Sequence, residues 1–181
     1  MKKQLLLPLL LLSTGLAAQD IPASPYEPYK TAVGILANPR LLGIQAERRV
    51  GPHFGLRLAA TQVFDYHQRQ NEFSAGGLGL LTYYLPVRNS RIEPVLGVGA
   101  VYSLYHWNLG ITTNMRNTKG NLQDVNLGGG AGMNLRFSNG FRAGFSLLAA
   151  NGFRAEYVEN DMRIVERRLL VLPALSLDVL L

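Results

Sequence analysis

A chain of 181 residues without a single cysteine excludes disulfide staples, thiolate metal sites and a cysteine-linked lipid anchor. Its 18 Lys and Arg outweigh 12 acids for a formal charge of +6, but no basic block or nucleic-acid motif accompanies the excess, so nucleic acid is not an expected partner. Beyond the first residues no apolar stretch approaches the ~18 residues of a spanning helix, the longest run being Leu169 to Leu175.

Lys2 and Lys3 precede an apolar block, Leu5 to Leu12, broken only by Pro8, and Gly15, Leu16, Ala17 and Ala18 supply mostly small residues near a cut. This is the secretory signal pattern, residues 1–18, and it is short for a membrane anchor. Cleavage is expected after Ala18, with Ala17 the alternative because it sets small Gly15 three residues before the cut. Residues 19–29 carry Pro22, Pro25 and Pro28 and read as an extended periplasmic lead-in. Residues 30–181 read as one barrel domain, because a mature chain of 163 residues suits a single domain.

From residue 30 onward the apolar period is two, the signature of strands with one greasy and one polar face. Strands are predicted over 30–38, 41–50, 54–65, 73–85, 91–106, 123–137, 141–150 and 167–181, with the first and fourth least regular. Leu42, Ile44 and Ala46 alternate with Gln45 and Glu47; Phe54, Leu56, Leu58 and Ala60 alternate with Gly55, Arg57, Ala59 and Thr61. Leu96, Val98, Ala100 and Tyr102 alternate with Gly97, Gly99 and Ser103. In Val125 to Phe137 the odd positions are apolar except Gly129, and the even ones are Asn, Gly or Arg. Phe141 to Ala149 and Leu169 to Leu181 repeat that phase. Most of these runs have the roughly 9–11 residues that cross a bilayer at a tilt. An even count lets a sheet close without exposed edges. The predicted fold is therefore all-β, an eight-stranded antiparallel transmembrane β-barrel, the form other than a helix in which backbone can span lipid.

The connections sort by length. Gly51 to His53, Pro86 to Ser90 and Ser138 to Gly140 are short, whereas Asp65 to Glu72, Trp107 to Gln123 and Asn151 to Glu166 are long. The connection at Pro39-Arg40 is the short exception. Short turns on one side and long loops on the other match an outer-membrane barrel with its turns in the periplasm. Phe54, Tyr83, Tyr84, Phe137 and Phe141 lie beside the short turns, and Phe64, Tyr66, Phe73, Tyr105, Trp107 and Phe153 near the long loops. Two aromatic girdles at two interfaces would select this spacing.

The signal end Leu16-Ala17-Ala18-Gln19-Asp20, the strand Val125 to Phe137 and the C-terminal strand Leu169 to Leu181 carry a resemblance of pattern that extends over nearly all of the mature chain. The chain resembles the small outer-membrane β-barrel proteins of the OmpA/OmpX-like type, in particular Bacteroidetes-type outer membrane protein β-barrel domains. It ends in Leu181 rather than in the Phe that closes many proteobacterial barrels. The resemblance implies an outer-membrane location, contact with outer-membrane lipid and lipopolysaccharide, delivery by the envelope assembly machinery, and a monomer.

Catalytic and cofactor signals are sparse. His53-Phe54-Gly55, His67-Gln68-Arg69 and His106-Trp107-Asn108 lack the His-x-Ser pair of barrel-type lipid A deacylases. Asp65-Tyr66-His67 puts a carboxylate and an imidazole together, but residues at a loop mouth explain it better than a triad, whose geometry spacing cannot show. Gly128-Gly129-Gly130 lacks the Lys-Ser/Thr of a phosphate loop. Glu156, Glu159 and Asp161 are flanked by Arg154 and Arg163 and read as a solvated loop, not a metal site. No catalytic, cofactor or metal residues are expected.

The inward face carries Glu47, Arg57, Glu93, Arg136, Arg142 and Asp178. Hairpin symmetry sets Glu47 opposite Arg57, and Arg136 opposite Arg142, which is unfavourable unless acids intervene. Glu93 and Asp178 on the flanking strands supply them. The expectation is a charge network plugging the periplasmic half, with a solvated rim as the rival arrangement. The predicted role is structural or surface-interacting and non-enzymatic. The alternatives are a narrow pore or a lipid-modifying outer-membrane enzyme, and a soluble, secreted, lipocalin-like carrier with its apolar face inward.

Overall fold

The computed structural model describes residues 28–39, 41–63, 71–87, 91–109, 118–158 and 161–181, with the backbone alone described at 63, 71–73, 107–109, 118–120, 156, 158 and 161–168. The expected signal segment 1–18 and the lead-in up to Glu27 lie outside the described residues, as do Phe64, Asp65, Tyr66 and His67. Eight strands follow in chain order: β1 Thr31–Asn38, β2 Leu41–Arg49, β3 Phe54–Val63, β4 Asn71–Tyr84, β5 Ile92–Leu109, β6 Thr118–Arg136, β7 Phe141–Val158 and β8 Asp161–Leu180. Each runs antiparallel to the next, and β8 returns to pair with β1, so the sheet closes into a barrel.

The period-two pattern translates directly into facing. Ile44, Leu58, Val98, Leu127, Phe145 and Leu175 point out, and among the described residues 28 large hydrophobic side chains are exposed. Glu47, Arg57, Arg136, Arg142 and Asp178 are buried inside. This is the reverse of a water-soluble fold, in which charges are almost never fully buried. It is also the reverse of the facing a lipocalin-like carrier needs. β4, whose facing the sequence leaves open, turns Leu80, Thr82 and Tyr84 inward and Leu81 and Tyr83 outward.

Several strands outrun their sequence-based limits. β5 continues to Leu109 and β6 starts at Thr118. The segment expected as a long loop, Asn151 to Glu166, is ladder instead, with β7 reaching Val158 and β8 starting at Asp161. The β8 extension carries charge at both parities, Arg163 and Arg167 on one and Glu166 and Arg168 on the other, so the segment reads as a solvated loop. The register nevertheless sets acidic positions against basic ones, Arg154 against Glu166 and Glu156 against Arg163, with an irregularity between Arg154 and Ala155. Opposed charges favour pairing of that kind.

The wall is uneven in height. β1 has eight residues and β2 nine, against 18 to 20 in β5 through β8. β1 pairs with β8 from Ala32↔Leu180 only as far as Ala37↔Leu175, while β7 accompanies β8 on to Asp161. Leu181 donates its N–H to Thr31 and Leu180 donates to Gly140. Because neighbouring residues of a strand address opposite neighbours, the odd-numbered residues back to Pro173 face the β1 side. Pro173 thus lies just past the last β1 partner, where its missing N–H leaves no ladder bond unmade.

Inside, β6 and β7 approach closely. A Cβ built on Gly128 would lie 2.1 Å from the Ala149 carbonyl oxygen, and one on Gly130 2.3 Å from that of Leu147. Only glycine fits at these two inward positions.

Candidate functional site

The end of the barrel that carries the short turns is filled by charge. Arg142, the residue after the first of β7, is fully buried and is the hub. Its Nη2 donates to Glu47 Oε2 at 2.9 Å, its Nε to Asp178 Oδ2 at 2.8 Å and its Nη1 to the hydroxyls of Tyr29 and Tyr84. Glu47 Oε2 also accepts Arg57 Nη2 at 2.8 Å and Nε at 3.1 Å, while Glu47 Oε1 accepts the Tyr84 hydroxyl. Asp178 Oδ1 accepts Gln45 Nε2 at 2.6 Å.

A second layer lies against the first. Tyr29 donates its hydroxyl to Glu93 Oε2 at 3.1 Å and accepts Arg49 Nη2 at 2.6 Å. Arg49 Nη2 lies 3.4 Å from Glu93 Oε1, and Arg136 Nη1 lies 3.9 Å from the same oxygen. The Arg49 guanidinium carbon sits 3.3 Å from the Tyr84 ring centroid and 4.6 Å from that of Tyr29. Cations over aromatic faces are attracted by the ring quadrupole.

The register accounts for the convergence. Glu47 faces Arg57, Arg142 faces Asp178 and Arg136 faces Arg142 across adjacent strands. The two arginines that oppose each other are both met by acids: Arg142 pairs with Glu47 and Asp178, and Glu93 serves both, 3.7 Å from Arg142 Nη1 and 3.9 Å from Arg136 Nη1. All six sequence-predicted residues therefore gather in one region of the lumen. Four partners were missed. Tyr29, assigned to the lead-in, packs under the barrel with Ala32 and Leu180. Tyr84, assigned to an aromatic girdle, points inward. Arg49 shares the inward parity of Glu47, which was the signal available for it, and Gln45 was read as inward without a role.

Above the plug, the lumen changes character. Leu80, Val101 and Leu148 form a buried cluster, with Leu78, Leu170 and Leu172 packed against it. The expected glycine-rich, non-apolar interior is thus interrupted by an apolar belt, supplied where two apolar residues follow each other, as at Leu80-Leu81 and Leu147-Leu148. A cavity of about 670 Å³ occupies this level. Gln45, Arg57 and Thr82 contribute to its lining from the plug side. On the opposite side the bidentate pair Arg154–Asp124, with both contacts at 2.7 Å, contributes to it. Tyr105, assigned to the second girdle, also lines this cavity. Among the described residues no group of three metal-ligating side chains gathers.

No family model and no curated protein matches the chain. Among solved structures it is similar to the N-terminal β-barrel domain of Pseudomonas aeruginosa OprF, with a TM-score of 0.58 at 14% identity over 83% of this chain and 96% of that one. At that identity the likeness is one of fold: a closed, eight-stranded antiparallel barrel.

Proposed function

We propose that the protein is an outer-membrane-embedded barrel with a structural or surface-interacting role and no enzymatic activity, working as a monomer in contact with outer-membrane lipid and lipopolysaccharide and delivered by the envelope assembly machinery. The observation that carries this is the outward belt of large hydrophobic side chains on a closed sheet, 28 among the described residues with Val50, Phe137 and Leu181 at the strand ends. A contiguous apolar surface of that extent is a membrane or protein interface, and a closed barrel is one of two forms in which backbone can span lipid. Phe54, Tyr83, Phe137 and Phe141 stand outward at the short-turn end, as an interfacial girdle does. Tyr102 and Phe153 stand outward higher up.

The plug speaks against a pore, because at this end of the narrow bore the interior is filled by side chains cross-linked by charge. It also speaks against acid–base chemistry at that end. Both Glu47 oxygens are engaged, Oε2 by Arg57 and Arg142 and Oε1 by the Tyr84 hydroxyl, so this carboxylate is committed to the plug.

Cell fractionation tests the proposal. The protein should sediment with outer membranes, resist carbonate extraction and migrate differently on gels before and after boiling. Recovery as a freely soluble periplasmic protein would overturn it, and lipid hydrolysis or acyl transfer by the purified barrel would overturn the non-enzymatic part.

A further inference from the structure

We infer that the cavity above the plug is a binding site for one long apolar chain ending in a small, uncharged hydrogen-bond donor such as an alcohol, admitted sideways over the β1–β2 hairpin. The inference rests on the membrane reading above for the source of the ligand, the surrounding hydrocarbon.

The size and lining of the cavity suit such a ligand. About 670 Å³ falls inside the roughly 300–1,000 Å³ of small-molecule sites, which are mostly apolar with a few placed polar groups. Its walls include the belt of Leu78, Leu80, Val101, Leu148, Leu170 and Leu172. Gln45 and Thr82 also line it and are 3% and 1% exposed, yet Gln45 Oε1 and Thr82 Oγ1 have no hydrogen-bond partner among the described residues. Buried polar atoms are almost always paired. Gln45 Nε2 is committed to Asp178, which fixes the amide so that its oxygen remains as an acceptor. An acceptor asks for a donor, and Thr82 can supply or accept the second bond. The plug charge that lines the cavity, Arg57, is neutralised by its two-donor pair with Glu47, so the floor offers no net charge to an ionic end group.

The route of access follows from the uneven wall. The cavity is lined by Asn38, Pro39 and Leu41 at the β1–β2 turn, and by the stretch of β8 from Leu170 to Ala174. That stretch lies beyond Leu175, the last β8 residue paired with β1. Strand backbone left without a neighbour is tolerated at membrane depth only where it lines a cavity or is buried in protein. β1, with eight residues, falls short of the roughly 9–11 that cross a bilayer at the usual tilt. Hydrocarbon of the outer leaflet therefore reaches the rim at this point, beside an apolar cavity.

The test uses the purified full-length mature chain in lipid nanodiscs and a long-chain alcohol carrying a nitroxide near its terminal methyl. Co-elution with the nanodisc reports insertion; failure to insert would overturn both the membrane reading and this inference. Electron spin resonance then reports an immobilised component. It should saturate at one alcohol per barrel and be displaced by unlabelled alcohol. The methyl ether of the same chain, which cannot donate, should displace it about three- to tenfold less well, the worth of a modest hydrogen bond. Leu148→Trp, which fills the cavity, should abolish the saturable component while retaining the heat-dependent gel shift of a folded barrel. Thr82→Val should weaken alcohol binding at least as much as ether binding, because only the alcohol can both donate to that hydroxyl and accept from it. An inserted barrel with no saturable component, or one whose component persists in Leu148→Trp, would overturn the site. Equal or better displacement by the ether or by the corresponding carboxylate would overturn the donor end group.

Discussion

At the scale of single residues, Arg142 and Glu47 decide how the lumen is held. Arg142 is fully buried and meets three acids, Glu47, Asp178 and Glu93, and Glu47 meets Arg57 and Arg142 through one oxygen. Breaking a buried pair leaves the survivor uncompensated, a penalty of about 3–5 kcal/mol. Glu47→Gln should therefore destabilise the barrel by about that amount in urea unfolding with liposomes. Combined with Arg57→Gln it should show clear non-additivity in a double-mutant cycle, because the two share one contact. Additive losses would show that the pair is not coupled. Gly130→Ala must push against the Leu147 carbonyl 2.3 Å away, so a loss of about 1–3 kcal/mol is expected, as for other overpacked sites. Gly79→Ala meets nothing nearer than Leu58 Cδ2 at 3.6 Å and should be close to neutral. The charged half of this site was legible in the sequence because Glu47, Arg57, Arg136, Arg142 and Asp178 all sit at polar positions of clean alternation. Tyr29 and Tyr84 were not, since an aromatic ring near a strand end serves an interface or a plug equally well, and only the facing of its strand tells which.

At the scale of elements, alternation reports facing wherever one face is greasy and the other is not. It identified all eight strands and the outward sides of β2, β3 and β5 through β8. It failed at two kinds of place. Where apolar residues double, as in Leu80-Leu81 and Leu169 to Leu172, parity is lost and the inward apolar belt was invisible. Where β8 rises past the outward belt, both parities carry charge and the period vanishes, so that stretch looks like loop and hides its partner, the end of β7, although Phe153, Ala155 and Tyr157 keep the alternation there. Facing can be tested on β6. Ala131 is exposed and pairs with Leu147 across the ladder, so Ala131→Arg should destabilise by about 2–4 kcal/mol if hydrocarbon surrounds it near the midplane. Ala174, half-buried at the inward parity of its strand, should accept Asn at a smaller loss in the same unfolding assay. The opposite ranking would place the lipid-facing surface inside.

At the scale of the whole molecule, the barrel is a tube closed at one end by ionic cross-links and open above them to a greasy chamber. The purified protein in a planar bilayer should show no steady conductance, because Arg142 and its partners occupy the bore. Persistent open channels would show that the plug does not seal. The tube itself is shut by its weakest ladder: β1 and β8 share six paired positions, against 17 between β6 and β7. Those six join the first strand of the chain to the last, Ala32 to Leu180 and Ala37 to Leu175. Without those six pairs β1 and β8 are two bare strand edges and the sheet is a curled ribbon instead of a ring, so this short seam is the latch of the whole barrel.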